Sequence, residues 1–170
     1  MLTKHFEFWP KLTKSITVPE TSLYDNLAVS AKRYPNSEAI YYYGNSITFQ
    51  ELKKEVDTFA GFLQQHLHVE KGEKVLLFMQ NSPQFVIGYY AILRAGAVVV
   101  PINPMLKTQE LEFYVKDCAI QSALIGQEFI DVVHPLTETT TLKNLIVAAY
   151  SDYAGDAMSD QLPEEVAAPR

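Results

Sequence analysis

Gly72 to Pro104 reads GEKVLLFMQNSPQFVIGYYAILRAGAVVVPINP, and the fold is decided in this stretch. Val75-Leu76-Leu77-Phe78-Met79 is an apolar run without alternation. A strand with one wet face alternates, whereas a continuous run belongs to a strand covered on both faces, as in a parallel sheet. Asn81-Ser82-Pro83 then stops the strand and starts a helix. The Ser82 hydroxyl can cap it, and Pro83 suits the first helical position, where its missing N–H costs nothing. Phe85, Val86, Tyr89, Ile92 and Leu93 recur at helical spacing and predict the buried face, with Gly96 placed to end the helix after Arg94. Ala97 to Val100 supply a second strand, closed by Pro101 and Pro104. Strand, helix and strand in such a short span make a βαβ unit, which forces a parallel pairing with a right-handed crossover.

The same alternation continues downstream. Thr108 is read as the cap of a helix carrying Leu111, Tyr114 and Val115 on one side. Ser122-Ala123-Leu124-Ile125 predicts a strand ended by Gly126, Phe129, Ile130 and Val133 a further helix, and Leu145 to Ala149 one more buried strand. From 72 to 150 the order is β-α-β-α-β-α-β, the signature of a doubly wound, mostly parallel α/β sheet flanked by helices.

Upstream, Ser22 with Asp25 resembles a capping box, and Leu23, Leu27, Ser30/Ala31 and Tyr34 trace one face of a helix before Pro35. Ala39 to Tyr43 and Ser46 to Phe49, joined by Gly44-Asn45, read as an amino-terminal β-hairpin, its tyrosines packing across the strands. Thr48 and Glu51 form a second capping box for the longest helix, whose stripe is Phe49, Leu52, Val56, Phe59/Ala60, Leu63 and Leu67. Its acids and lysines read as a solvated face. Residues 1–20 read as an irregular arm whose Phe6, Phe8 and Trp9 pack onto the body; too few lysines flank them for a membrane-surface role. The α/β unit is expected over 21–150, and 151–170, acidic and rich in Ala and Pro, as a linker or disordered tail.

Composition narrows the function classes. The chain has 170 residues, enough for one domain with a real core. Its net charge is −6, but the last twenty residues carry −4 of it, so the body is nearly balanced. No basic face stands out, which argues against nucleic acid as a partner. A lone cysteine, Cys118, excludes an internal disulfide framework and fits a reducing cytoplasm. Nineteen uncharged residues run from Val75 to Leu93, yet Gln80-Asn81-Ser82-Pro83-Gln84 sits in their middle, which argues against a transmembrane segment. The first residues lack the apolar core of a signal peptide, so the location expected is cytoplasmic.

Open α/β sheets bind ligands at the carboxyl ends of their strands, and the loops there lack the usual chemistry. The glycines stand at 44, 61, 72, 88, 96, 126 and 155, so neither GxGxxG nor GxxxxGK[ST] can be built. His66 and His68 are two apart on a predicted helix and point in different directions, His5 and His134 are isolated, and no serine occupies a GxSxG elbow. Thr137 to Thr141 read as a polar loop. No catalytic, cofactor-binding or metal-binding residue is assigned.

Two segments resemble the amino-terminal region of the adenylate-forming superfamily, the AMP-binding enzymes that include acyl-CoA synthetases. Ile47-Thr48-Phe49-Gln50-Glu51-Leu52 looks like its (L/I)-T-(Y/F)-x-E-L segment. Leu93-Arg94-Ala95-Gly96-Ala97-Val98-Val99-Val100-Pro101-Ile102-Asn103-Pro104 looks like its LKAGA-x-x-V-P-(I/L)-(N/D)-P segment. Lys71 to Val75 and Asn81-Ser82-Pro83 match in order and spacing. Asn103-Pro104 leans toward acyl- or aryl-CoA ligases, and 21–52 is similar to long-chain fatty acid–CoA ligases.

The resemblance implies a two-step reaction. A carboxylic acid, here a fatty acid, attacks the α-phosphate of Mg-ATP to give an acyl-adenylate and pyrophosphate, and the thiol of CoA then displaces AMP. It also implies that the working parts (a Ser/Thr/Gly-rich loop ending Pro-Lys-Gly, a ribose-binding Asp, a Lys in a mobile carboxy-terminal domain) follow the equivalent of residue 150. The chain is therefore expected to be an amino-terminal fragment, an inactive scaffold binding no cofactor by itself, while the parent enzyme uses ATP, Mg and CoA. Its expected partner is the remainder of the ligase chain, with self-association through exposed apolar surface. Lys107, beside Asn103-Pro104, is explained equally by an approach to CoA in the parent or by an exposed helix start, and is not counted as a site. The alternative readings are a free-standing α/β interaction or small-ligand-binding domain, and a structural subunit completed in trans.

Overall fold

The computed structural model describes residues 16–155 and 162–168. In chain order the elements are α1 (Leu23–Arg33), β1 (Glu38–Tyr42), β2 (Asn45–Thr48), α2 (Phe49–Gln65), β3 (Lys74–Phe78), α3 (Pro83–Arg94) and β4 (Val98–Pro101). They continue with α4 (Thr108–Asp117), β5 (Ser122–Gly126), α5 (Ile130–Val133), α6 (Leu136–Thr139), β6 (Asn144–Ala148) and α7 (Glu164–Ala167). Strands β3 to β6 form one parallel sheet in the order β4-β3-β5-β6, and β1 and β2 form a separate antiparallel hairpin.

The unbroken apolar run of β3 has the cause the sequence implies. Val75, Leu76, Leu77 and Phe78 are all fully buried. Val75 packs with α2 and α3 on one face, while Leu76 and Phe78 pack with Leu111 and Val115 of α4 and Val133 of α5 on the other. Helices thus cover both faces, as doubly wound sheets require. The Ser82 hydroxyl accepts from the Phe85 N–H at 3.2 Å, and Pro83 opens α3. Both predicted capping boxes form: Asp25 returns to the Ser22 N–H at 2.9 Å, and Glu51 to the Thr48 N–H at 2.9 Å.

The helical faces differ in places from their expected residues. On α3 the deeply buried side is Gln84, Ile87, Gly88, Ala91 and Ile92, while Phe85, Val86, Tyr89 and Leu93 are only half-buried. This helix is held between the sheet and α2, so apolar residues ring it and periodicity alone does not single out the side against the sheet. On α1, Tyr24 is buried and Leu23 exposed, and Tyr34, just past the end of the helix, is exposed as well. The Tyr24 ring lies under the Arg94 guanidinium and its hydroxyl reaches Asp57. On α2 the buried stripe is Leu52, Val56, Ala60 and Leu63; the helix ends at Gln65, so Leu67 and both His66 and His68 lie beyond it.

Local chemistry accounts for the remaining differences. The hairpin turn is Tyr43-Gly44, not Gly44-Asn45, because Tyr42 pairs with Asn45. Both turn residues have positive φ (39° and 81°), the requirement of the tight turn that matches strand twist, and Gly44 meets it without strain. Thr108 is the first residue inside α4 rather than its cap, and its hydroxyl donates to the Val132 carbonyl at 2.9 Å. Tyr114 is exposed on that helix. In place of an open polar loop, Leu136–Thr139 makes a helical turn, and the hydroxyls of Thr137, Thr140 and Thr141 donate to the carbonyls of His134, Leu136 and Ile120.

Beyond 150, a 3₁₀ turn spans Tyr150–Tyr153, and α7 packs the buried Val166 beside Tyr150. The carbonyl of Ala168 accepts from Gln127 Nε2 and Ser151 Oγ, each at 3.2 Å. Those parts of 151–170 are thus ordered against the sheet rather than forming a free linker. Phe6, Phe8 and Trp9 of the arm lie outside the described residues. Among the described residues, no helix is long and apolar enough to cross a membrane.

Candidate functional site

The chain leaves β3 for β4 on one side and returns to β5 on the other, so the strand order reverses between β3 and β5. In open α/β sheets the ligand crevice lies outside the carboxyl ends of the strands at such a reversal. Here that end is bounded by Met79-Gln80-Asn81 after β3 and by Gln127-Glu128 after β5.

Tyr150 fills the space between them. Its side chain is almost fully buried. The phenol accepts from the Gln80 N–H at 2.8 Å and donates to Glu128 Oε1 at 2.8 Å. Burial pushes the Tyr150 hydroxyl far above the ordinary phenol range, and the Glu128 carboxylate adds to this against the opposing Gln80 N–H. Glu128 Oε2 is buried without a hydrogen-bond partner among the described residues. Tyr42 comes to the same end of the sheet from the hairpin, its hydroxyl pushed up to about 12 by burial and then by Tyr43 and Glu128.

Two hollows remain around this plug. One of about 280 Å³ is lined by Tyr42, Tyr43, Gln80, Asn81 and Tyr150 and roofed by Pro163, Glu165 and Val166. The other, of about 380 Å³, lies between Met79-Gln80-Asn81, Phe85 and Pro101 to Met105. Neither is lined by a lysine, arginine or histidine, and the single charged side chain facing them is Glu165. A nucleotide triphosphate needs cations or a fan of free backbone N–H groups. The start of α3 offers a proline and an N–H already taken by Ser82. Neither hollow therefore presents a cationic side chain to a triphosphate, and no group of three or more metal-ligating side chains occurs among the described residues.

A third hollow lies on the flank. An apolar groove of about 370 Å³ runs between α2, α3 and β6, lined by Phe59, Phe62, Ile87, Leu124 and Ile146, with Glu55 and Tyr153 at its rim. Gln84 reaches its floor, donating from Nε2 to the Ala149 carbonyl at 2.6 Å. Burial, followed by Glu55, pushes the Tyr153 hydroxyl up to about 12.

Lys107 is exposed and lines neither hollow at the strand ends; its backbone N–H donates to Glu110 Oε2 at 3.1 Å. The side chains brought together at the strand ends (Tyr150, Glu128 and Tyr42) form no sequence motif. The one signal pointing to them was position: Glu128 is an acid just past a fully buried strand, at the end where the fold places ligands.

Comparison with known proteins adds the family. Residues 27–169 match the family described as AMP-binding enzyme. A long-chain-fatty-acid–CoA ligase of Escherichia coli O6:H1 is 32% identical over 136 residues, covering 80% of this chain and 24% of that protein. Among solved structures, a long-chain-fatty-acid–CoA ligase from Archaeoglobus fulgidus superposes with a TM-score of 0.71 at 26% identity, covering 79% of this chain and 28% of that one. The inhibitor-bound N-terminal domain of FACL13 from Mycobacterium tuberculosis superposes with a TM-score of 0.67 at 25% identity, covering 75% and 33%. The chain thus spans about a quarter of the length of the bacterial ligase it matches. On the match across 27–169, which takes in the hairpin, the capping box of α2 and the whole parallel sheet, the chain belongs to the AMP-binding enzyme family.

Proposed function

We propose that this chain is the amino-terminal framework of an ATP-dependent fatty acid–CoA ligase and does not complete the reaction by itself. The observation that carries the second half is the closed crevice: Tyr150, held by Gln80 and Glu128, fills the point where the sheet would receive a ligand. The first half is supported by the fatty acid ligase of Escherichia coli O6:H1, 32% identical over 80% of the chain. In this reading ATP, Mg and CoA are bound by the parent enzyme, through residues outside the described chain. What the chain supplies is the rigid parallel sheet and its helical cover.

Two measurements test the reading. The purified chain, given palmitate, ATP, Mg and hydroxylamine, is expected to form no hydroxamate; steady turnover would overturn the scaffold assignment. A chimera tests the ligase assignment, with the matching part of the Escherichia coli enzyme replaced by this chain. A folded chimera that activates palmitate supports it, and a folded but inert one counts against it.

A further inference from the structure

The hollow of about 280 Å³ beside the Tyr150 plug is walled by aromatic rings and carries negative charge. Tyr42 and Tyr43 meet edge to face, with ring centroids 4.7 Å apart and planes at 83°, so the pair makes a corner of two nearly perpendicular walls. Tyr150, almost fully buried, closes the inner end. Glu165 of α7 lines the same space, and among the described residues no lysine, arginine or histidine does. A second carboxylate stands behind the rings: Glu128 Oε1 accepts from the Tyr150 hydroxyl at 2.8 Å. Burial is the first cause raising the Tyr42 and Tyr150 hydroxyls, and Glu128 adds to both, so its negative field reaches two of the three rings. Tyr43 has a φ of 39°, which a bulky residue seldom adopts, yet the turn keeps a large ring there rather than a second glycine.

We infer that this hollow binds a small free organic cation, a quaternary ammonium such as choline. The face of an aromatic ring is negative and attracts a cation. The hydrogen bond to Glu128 polarises the Tyr150 phenol in the same sense, and the charge of Glu165 adds to the attraction. An inorganic cation fits less well. It needs several oxygen ligands, and no group of three or more metal-ligating side chains occurs among the described residues. A primary ammonium is compact and strongly hydrated, whereas a quaternary one sheds water at little cost and turns apolar methyl groups toward the rings. The volume suits a small head rather than a larger ligand. A fatty acid, ATP and CoA are all anions, which Glu165 and Glu128 disfavour here. Failure of this inference therefore leaves the ligase reading untouched.

The test is a titration of the purified full chain with choline, followed through the tyrosine ring resonances. Saturable shifts are expected at Tyr42 and Tyr43, while the exposed Tyr34 and Tyr41 stay unmoved. The neutral isostere, with a tert-butyl group in place of the trimethylammonium, should bind at least about tenfold more weakly. Glu165→Gln changes an exposed residue of α7, keeps the fold and should weaken choline about threefold. Tyr42→Leu should weaken it at least about fivefold in a chain that still unfolds cooperatively. Phosphocholine, whose phosphate meets Glu165, should bind less tightly than choline, which separates a free cation from a lipid headgroup; the reverse order overturns the free-cation assignment. Absence of saturable choline binding overturns the inference. So does a neutral isostere that binds equally well, or choline binding indifferent to Glu165→Gln.

Discussion

The Tyr150 hydroxyl stands 2.8 Å from Glu128 Oε1, and this bond joins the segment after β6 to the segment after β5 across the open end of the sheet. The same oxygen accepts from the Gln80 N–H, so one phenol ties three strand ends together.

Tyr150→Phe keeps the ring and removes the oxygen. Glu128 Oε1 and the Gln80 N–H then lose their shared partner in a partly desolvated place, and an unpaired buried polar group costs about 1–3 kcal/mol. A urea titration should show that loss in the midpoint with an unchanged slope. An unaltered midpoint would mean that the bond contributes nothing.

Asp57 on α2 gathers three partners: the Tyr24 hydroxyl at 2.6 Å, Lys53 Nζ at 2.6 Å and Arg94 Nε at 3.4 Å. Burial alone would raise its pKa, but hydrogen bonds from Lys53 and Tyr24 outweigh it and hold the carboxyl below the usual range. The folded state therefore binds this proton less tightly than the unfolded chain. The stabilisation is present above the unfolded carboxyl pKa of about 3.9 and is lost as the pH falls through the lower folded value. The site is about one-third exposed, so solvent screening keeps the gain small. Asp57→Asn is expected to cost about 1 kcal/mol at neutral pH, with the gap to wild type closing in acid melts.

Alkaline stability follows from the tyrosines. Tyr42 and Tyr153 are raised to about 12 and Tyr150 higher, chiefly by burial. Between the unfolded phenol value of about 10 and these folded values, the unfolded chain releases protons that the native state keeps. Stability present below pH ~10 should therefore fall as the pH rises above it. Tyrosinate absorbance is the check: these three should ionise together with unfolding rather than before it.

Gly155 passes so close to the hairpin that an added Cβ would lie 2.8 Å from the Gly44 carbonyl carbon and 2.9 Å from its oxygen. Its N–H donates to the Tyr43 carbonyl at 3.0 Å, and Asn45 Nδ2 donates to the Tyr153 carbonyl at 3.1 Å. Backbone yields less readily than a side chain, so Gly155→Ala should push the hairpin off, at about 1–3 kcal/mol. Thermal melts of Gly155→Ala beside Gly61→Ala, whose Cβ meets nothing within 4 Å, separate this clash from a general glycine effect.

Much of the fold was legible because local chemistry and global packing agree in it. Ser82 before Pro83, and Thr48 with Glu51, mark helix starts through atoms only a few residues apart. The run Val75 to Phe78 announces its double coverage through composition alone. The buried side of α3 was not legible, since Ile87, Gly88 and Ala91 face the sheet while Phe85, Val86 and Tyr89 are covered from elsewhere. Nor was Tyr43 in the turn: bulky residues seldom adopt positive φ, and glycine drew the reading one position along. The plug of Tyr150, Gln80 and Glu128 was invisible for a different reason. Its members come from separate connections, and only the reversal of strand order brings them together.

That reversal also governs how the chain acquires its shape. β3 and β5 each have a neighbour on both sides, and their mutual pairing closes a long loop over α3, β4 and α4. Loop-closure entropy must be met before such distant contacts form, so β3–α3–β4 can assemble early while β5 docks late. Amide protons of β3 and β5, locked only when that docking is complete, should exchange with solvent more slowly than any in the hairpin.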